Sequence, residues 1–210
     1  MSSVNATGGR RKPYHHGALH AALVDASIAL AREGGPDRVI LREAARAAGV
    51  SHSAAYRHFA DREALLAEVS RHARNALAAE MRSRVKRARD PRQRLRAVGT
   101  AYVEFALTEP GLFRTAFTSH PATQTTPPEP NSDTDSGEPF EILGQALDDA
   151  LAAGLLDPKR RPGAEIGAWS AVHGLANLLL DGPLPTTKAE INFSLNRVLD
   201  LVERGLLNGG

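Results

Sequence analysis

The side chains best suited to chemistry in this sequence are gathered in one short stretch, Leu41-Arg-Glu-Ala-Ala-Arg-Ala-Ala-Gly-Val-Ser-His-Ser-Ala-Ala-Tyr-Arg-His-Phe59. Ser51, His52, Ser53, Tyr56 and His58 are short or aromatic hydrogen-bond donors that follow a Gly-containing turn. Small residues at Ala44, Ala45, Ala48 and Ala54 let two helix backbones come close, and Gly49-Val50-Ser51 supplies a turn for a steep crossing. This is a helix-turn-helix pattern, in which the second helix enters the major groove and flanking donors grip phosphate. Arg42 opens the preceding helix and belongs to the same candidate surface, as does the basic arm Arg10-Arg11-Lys12, which can reach the adjacent minor groove.

No other chemistry competes well. An enzyme needs a nucleophile beside a base, or paired carboxylates, and residues 97–210 offer neither; Asp148 and Asp149 are adjacent and point to different sides of their helix. His15 and His16 have no Cys or carboxylate at ligand spacing, so phosphate contact or capping suits them better than a metal. The chain has no Cys, which removes disulfides, thiolate metal sites and Cys nucleophiles. Neither a catalytic residue nor a metal or cofactor site is expected.

The elements that must position these residues read as helices throughout. Leu19, Leu23, Ala26 and Leu30 recur at steps of three and four before Gly34-Gly35-Pro36, which predicts a helix over 16–33. Two short helices follow over 41–48 and 51–58, with Ser51 as the cap of the second. Asp61 caps a long helix with an apolar stripe from Leu65 to Val85, reaching Arg89; Pro91 starts a fifth to Thr108 and Pro110 a sixth to Phe117. From Thr118 to Gly137 the composition turns to Thr, Pro, Ser, Asp and Glu, which predicts a mobile loop. Three more helices are expected over 139–153, 163–180 and 187–207. The reading is all-α, about nine helices, with a three-helix DNA-binding domain at 1–60 and a larger helical domain at 61–210.

Charge supports the same division. Residues 1–96 hold 19 Lys and Arg against 9 Asp and Glu, whereas 97–210 hold 7 against 15, so the halves carry +10 and −8. A basic first half fits a polyanionic partner, double-stranded DNA. With 42% hydrophobic and 24% charged residues, no apolar run of 18 and a polar N-terminus, the expectation is a folded cytoplasmic protein without a membrane partner.

The stretch from Leu41 through Ala-Asp-Arg-Glu-Ala-Leu-Leu66 resembles the DNA-binding signature of TetR-family transcriptional regulators, and the likeness extends over roughly residues 14–70. It implies that Tyr56 and His58 contact phosphate, that Phe59 packs inside, and that Arg62, where Lys is commoner, also contacts phosphate. Ile40 departs from the family pattern, which often has Ser or Thr there to cap the second helix; either Asp37 caps from further out or that helix starts with less support. Trp169-Ser-Ala-Val-His-Gly174 and Glu109-Pro-Gly-Leu-Phe-Arg-Thr-Ala-Phe117 resemble segments of one subfamily's regulatory domain, which implies its fold and dimerisation.

The second half then supplies a candidate sensor. Trp169 and His173 share a helix face at i and i+4, with Asn177 a turn further on. Two readings stay open, a satisfied core histidine or the wall of a pocket. Tyr102, Phe105, Phe113 and Phe117 lie near the 118–137 segment, where an entrance could form, and complete the candidate ligand-binding set. Gly167 and Gly174 lie on one face of an apolar helix, where each costs about 1 kcal/mol relative to Ala, so close approach of another helix is expected. With Leu195 and Leu199 they form the candidate dimer interface, the alternative being packing within one subunit. The function expected is a homodimeric DNA-binding regulator, a repressor released from its operator by a small, largely hydrophobic effector. A non-sensing architectural DNA binder would share the first half and need no cavity.

Overall fold

The computed structural model describes residues 16–118 and 139–207. Among these, nine α-helices and no strand occur: α1 (His16–Gly34), α2 (Leu41–Ala47), α3 (His52–Tyr56), α4 (Arg62–Val85), α5 (Pro91–Thr108), α6 (Pro110–Ala116), α7 (Pro139–Ala152), α8 (Ala164–Leu180) and α9 (Lys188–Leu206). A lone antiparallel bridge joins Leu156 to Leu207. The predicted loop falls almost wholly outside the described residues, as does the arm Arg10-Arg11-Lys12.

Side-chain caps set the starts of α3, α4, α5 and α9. Ser51 accepts from the Ala54 amide at 3.3 Å, Asp61 from Ala64 at 2.8 Å and Thr187 from Glu190 at 3.4 Å, each satisfying a first-turn N–H with no helical partner. α4 stops at Val85, short of the expected Arg89, because the next residues are claimed by the start of α5. There Asp90 accepts from the Gln93 amide at 2.8 Å while the Gln93 side chain accepts from the Arg89 amide at 3.1 Å, a pair of bonds close to a capping box. α2, like α6 and α8, has no side-chain cap. Its cap position is Ile40, in extended conformation with no side-chain bond, and Asp37 lies in a 3-10 turn over Pro36–Arg38 without capping the helix.

One continuous apolar core runs from Leu19 of α1 to Leu207 beyond α9. α2 packs on both α1 and α3, and α1 rests on α4 and α6. α4 and α5 pack side by side, and α7, α8 and α9 cover α5. At the junction, Gly111 of α6 lies so close under the C-terminal carbonyls of α1 that a Cβ there would sit 2.7 Å from the Arg32 oxygen. Leu195 and Leu199, expected at a dimer interface, are buried inside the subunit at 7% and 4% exposure. Leu199 instead fills the space opposite Gly99, whose Cβ would approach it to 2.6 Å.

Candidate nucleic-acid interface and ligand cavity

The turn between α2 and α3 holds because Gly49 adopts φ 68°, a left-handed conformation that costs glycine little, and because the Val50 amide donates to Ala45 at 3.0 Å. Ala44, Ala45 and Ala55 are buried where the two helices meet. That leaves Ser51, His52, Ser53 and Tyr56 exposed along α3, Tyr56 at 49%, with its ring edge-on to His52 at 4.7 Å between centroids. His58 is half-buried beyond the end of α3, 6.3 Å from the His20 ring of α1, and Phe59 is buried against His20 at 4.7 Å. Arg42 is exposed in the first turn of α2. Arg46 and Arg57, which sequence reasoning passed over, are further exposed cations on α2 and at the end of α3. Each is a single exposed Arg in an Ala-rich or aromatic setting, and no spacing signal marked it.

Arg62 has a different setting from the one expected. Its Nε donates to the Val39 carbonyl at 2.9 Å and its Nη2 to the Pro36 carbonyl at 2.7 Å. These bonds tie the first turn of α4 to the segment leading into α2, so the guanidinium braces the poorly capped helix from below.

The aromatic residues of the second half converge around one hydroxyl. The Trp169 indole N–H donates to Tyr102 Oη at 2.8 Å, and the same oxygen lies 2.7 Å from His173 Nδ1. An indole can only donate, so Tyr102 Oη accepts from Trp169, while the direction of its bond with His173 Nδ1 follows the imidazole tautomer. Burial holds the His173 pKa below its ordinary 6.5 and pushes that of Tyr102 upward, so both are neutral near pH 7. Phe113 and Phe117 flank the trio at 5.5 Å and 5.8 Å from the Tyr102 ring.

Beside this trio lies a mostly apolar cavity of ≈ 30 Å³, walled by Met81 of α4, Gly99 and Tyr102 of α5, Phe140 of α7, Trp169 of α8 and Leu199 of α9. Phe140 is 43% exposed and packs 5.5 Å from the Trp169 ring, at the start of α7. It was missed in the sequence because it sits at the margin of a polar segment. Arg96 closes the rim between α5 and α9, donating to Asp200 at 3.0 Å, Glu203 at 3.2 Å and Asn196 at 2.8 Å. Phe105 does not join the group. It points from another face of α5, toward α4 and α6.

Comparison with known families matches residues 95–202 to the tetracyclin repressor-like C-terminal domain and residues 23–69 to the bacterial regulatory proteins of the tetR family. The chain belongs to the TetR family. It is a DNA-binding transcriptional regulator. A protein of unknown function from Rhodococcus sp. RHA1 is 29% identical, with TM-score 0.73, 94% of this chain covered and 100% of that one. A TetR family transcription regulator from Marinobacter aquaeolei VT8 is 20% identical, with TM-score 0.62 and coverage of 92% and 97%. The TetR family transcriptional regulator PfmR from Thermus thermophilus is 22% identical, with TM-score 0.59 and coverage of 87% and 97%. No curated protein matches the chain. In this TetR-family regulator, the matched N-terminal segment runs from within α1 through α2 and α3 into α4, and no helix among the described residues is long and apolar enough to cross a membrane.

Proposed function

We propose that this regulator is a homodimeric, cytoplasmic repressor whose grip on its operator falls when a small, largely apolar effector enters the cavity between α5, α7, α8 and α9. The observation that carries this reading is the path of α4. Its first turn is hydrogen-bonded beneath α2 through Arg62, and Met81 of the same helix walls the cavity. At 1.5 Å per residue those positions are about 28 Å apart on one rigid rod, so a displacement at Met81 tilts the helix-turn-helix. In this reading the DNA-binding domain ends near residue 60, and α4 opens the domain that senses and dimerises.

On DNA, Ser51, His52 and Ser53 face base edges, while Tyr56, His58 and Arg42 hold phosphate and Arg10, Arg11 and Lys12 follow the backbone or minor groove. The dimer forms on the outer faces of α8 and α9, where Ile166, Leu178, Phe193 and Leu201 are exposed at 66%, 46%, 68% and 66%. Gly167 and Gly174 present bare backbone there, and among the described residues nothing beyond their own helix backbone and chain neighbours comes within 4 Å of where a Cβ would stand. A two-fold axis at that face must place the two α3 helices about 34–36 Å apart to meet successive major grooves.

A cavity of ≈ 30 Å³ is far smaller than a drug-sized molecule needs. Effector binding therefore requires Phe140 and Trp169 to part, and the closed cavity belongs to the DNA-competent state. The same small volume favours the second reading, a DNA binder without an effector. A small-molecule library read by Trp169 emission and thermal shift separates the two. The proposal expects hits that move the emission and weaken operator binding by about 5- to 150-fold through linkage. Hits that stabilise the protein with operator affinity unchanged would contradict it, and the absence of hits would favour the second reading.

A further inference from the structure

Along one flank of the α4–α5 pair the chain leaves a cleft of ≈ 420 Å³, a volume in the range of small-molecule sites. It is separate from the aromatic cavity. Ala101, Glu104, Phe105 and Thr108 of α5 line the cleft, whereas Leu95, Val98, Gly99 and Tyr102 of the same helix line the cavity. The floor is apolar, made by Ala76, Ala101, Phe105 and Leu112, and the last three are buried.

The rim is charged and unevenly neutralised. Arg32 of α1 reaches across to Glu109 at 3.2 Å, and Arg84 of α4 pairs with Glu104 of α5. Both cations of the rim are thus matched. Glu80, between Ala76 and Arg84 on one face of α4, is exposed and has no ion-pair or hydrogen-bond partner among the described residues. An anionic ligand would meet three carboxylates here with no free cation, and a neutral one would gain only the floor.

We propose that this cleft binds a small organic cation, a primary ammonium on an apolar body of phenylalkyl size, with the ammonium at Glu80 and the body on Ala76, Ala101 and Phe105. The floor residues are already largely buried and add only modestly to affinity, and the charge supplies the choice among isosteres, since an ion pair exposed to water is worth only a few-fold. The site goes beyond the effector cavity and does not depend on it.

Three matched probes test it on the full chain: 4-phenylbutylamine, 4-phenylbutanol and 4-phenylbutyrate, titrated by NMR with methyl signals of Ala76 and Ala101 and the emission of Trp169 followed together. The amine should bind about three- to fivefold more tightly than the alcohol, with shifts at the cleft methyls and none at Trp169. Glu80→Gln should erase that preference, and Glu80→Lys should reverse it toward the butyrate. Glu80 is exposed, so both variants should fold, and unchanged helicity and Tm verify this. Equal affinity for all three probes, no binding at millimolar concentration, amine preference surviving in Glu80→Gln, or shifts centred on Trp169 would each overturn the proposal.

Discussion

Replacing Gly111 by Ala adds one methyl group at the point where α6 meets α1. A Cβ there would lie 2.7 Å from the Arg32 carbonyl oxygen and 3.0 Å from its carbon, and closer still to the Ala31 oxygen. These are backbone atoms in the last turn of α1 and cannot rotate away. Carbon contacts relax near 3.5 Å, so the two helices must part by about 1 Å, against the packing of Leu112 and Phe113 behind them. Overpacking of this kind costs about 1–3 kcal/mol, and the better helix propensity of Ala returns up to about 1 kcal/mol. A net loss of about 1–2 kcal/mol should lower Tm by roughly 2–8 °C in a chain of this size. Operator affinity should fall as well, since α1 carries α2 and α3 with it. Gly17→Ala, also in the first turn of a helix but with nothing within 4 Å of the new Cβ, is the control for heating scans and should leave Tm unchanged or raise it slightly. If Gly111→Ala melted within about 1 °C of the parent and bound operator equally well, the close seat of α6 under α1 would be refuted.

Tyr56→Phe and His58→Ala should weaken binding to operator and to random duplex by similar factors, because phosphate contacts position without reading sequence; a relaxed preference at one base pair would mean a base contact instead. Burial, seconded at His72 by nearby Arg32, holds both His72 and His173 below the ordinary 6.5. The unfolded chain therefore takes up these protons first, so stability is full above pH 6.5 and declines as the pH drops below it. Tm measured from pH 7.5 to 5 should fall less steeply in His173→Gln, and an unaltered slope would deny the imidazole that role. Phe193→Glu with Leu201→Glu should give monomer in sedimentation at micromolar protein, since both side chains are exposed in one subunit. A double variant that stayed dimeric would place the interface away from that face of α9.

Much of the fold could be read because its punctuation is local. Ser51 and Asp61 cap where their types and positions predict, and Gly49 supplies the turn that α2 and α3 need. Expectation and structure part where two local signals compete or where an inward face has two possible neighbours. Arg and Lys favour continuing α4 beyond Val85, and the Asp90–Gln93 cap of α5 overrides them. Phe105 and Tyr102 both point inward from α5, but about 60° of helix rotation per three residues sends them to different partners. Leu195 and Leu199 follow the core stripe of α9, so they fill the subunit. Phe193 and Leu201 lie off that stripe among Asn192, Ser194 and Asp200, and that misplacement is the signal that could have marked an outward apolar face. Arg62 could not be read at all, because its acceptors are carbonyls more than 20 residues away.

The most direct test of the central claim is selection of bound fragments by the full chain from a random duplex library. A two-fold dimer that presents α3 to successive major grooves should enrich an inverted repeat, with half-site centres one helical turn apart or a multiple of it, about 10–10.5 bp per turn. Ser53→Ala should alter the base preference within each half-site and leave their spacing unchanged. Enrichment of a single asymmetric site, or of none above the random pool, would contradict the account.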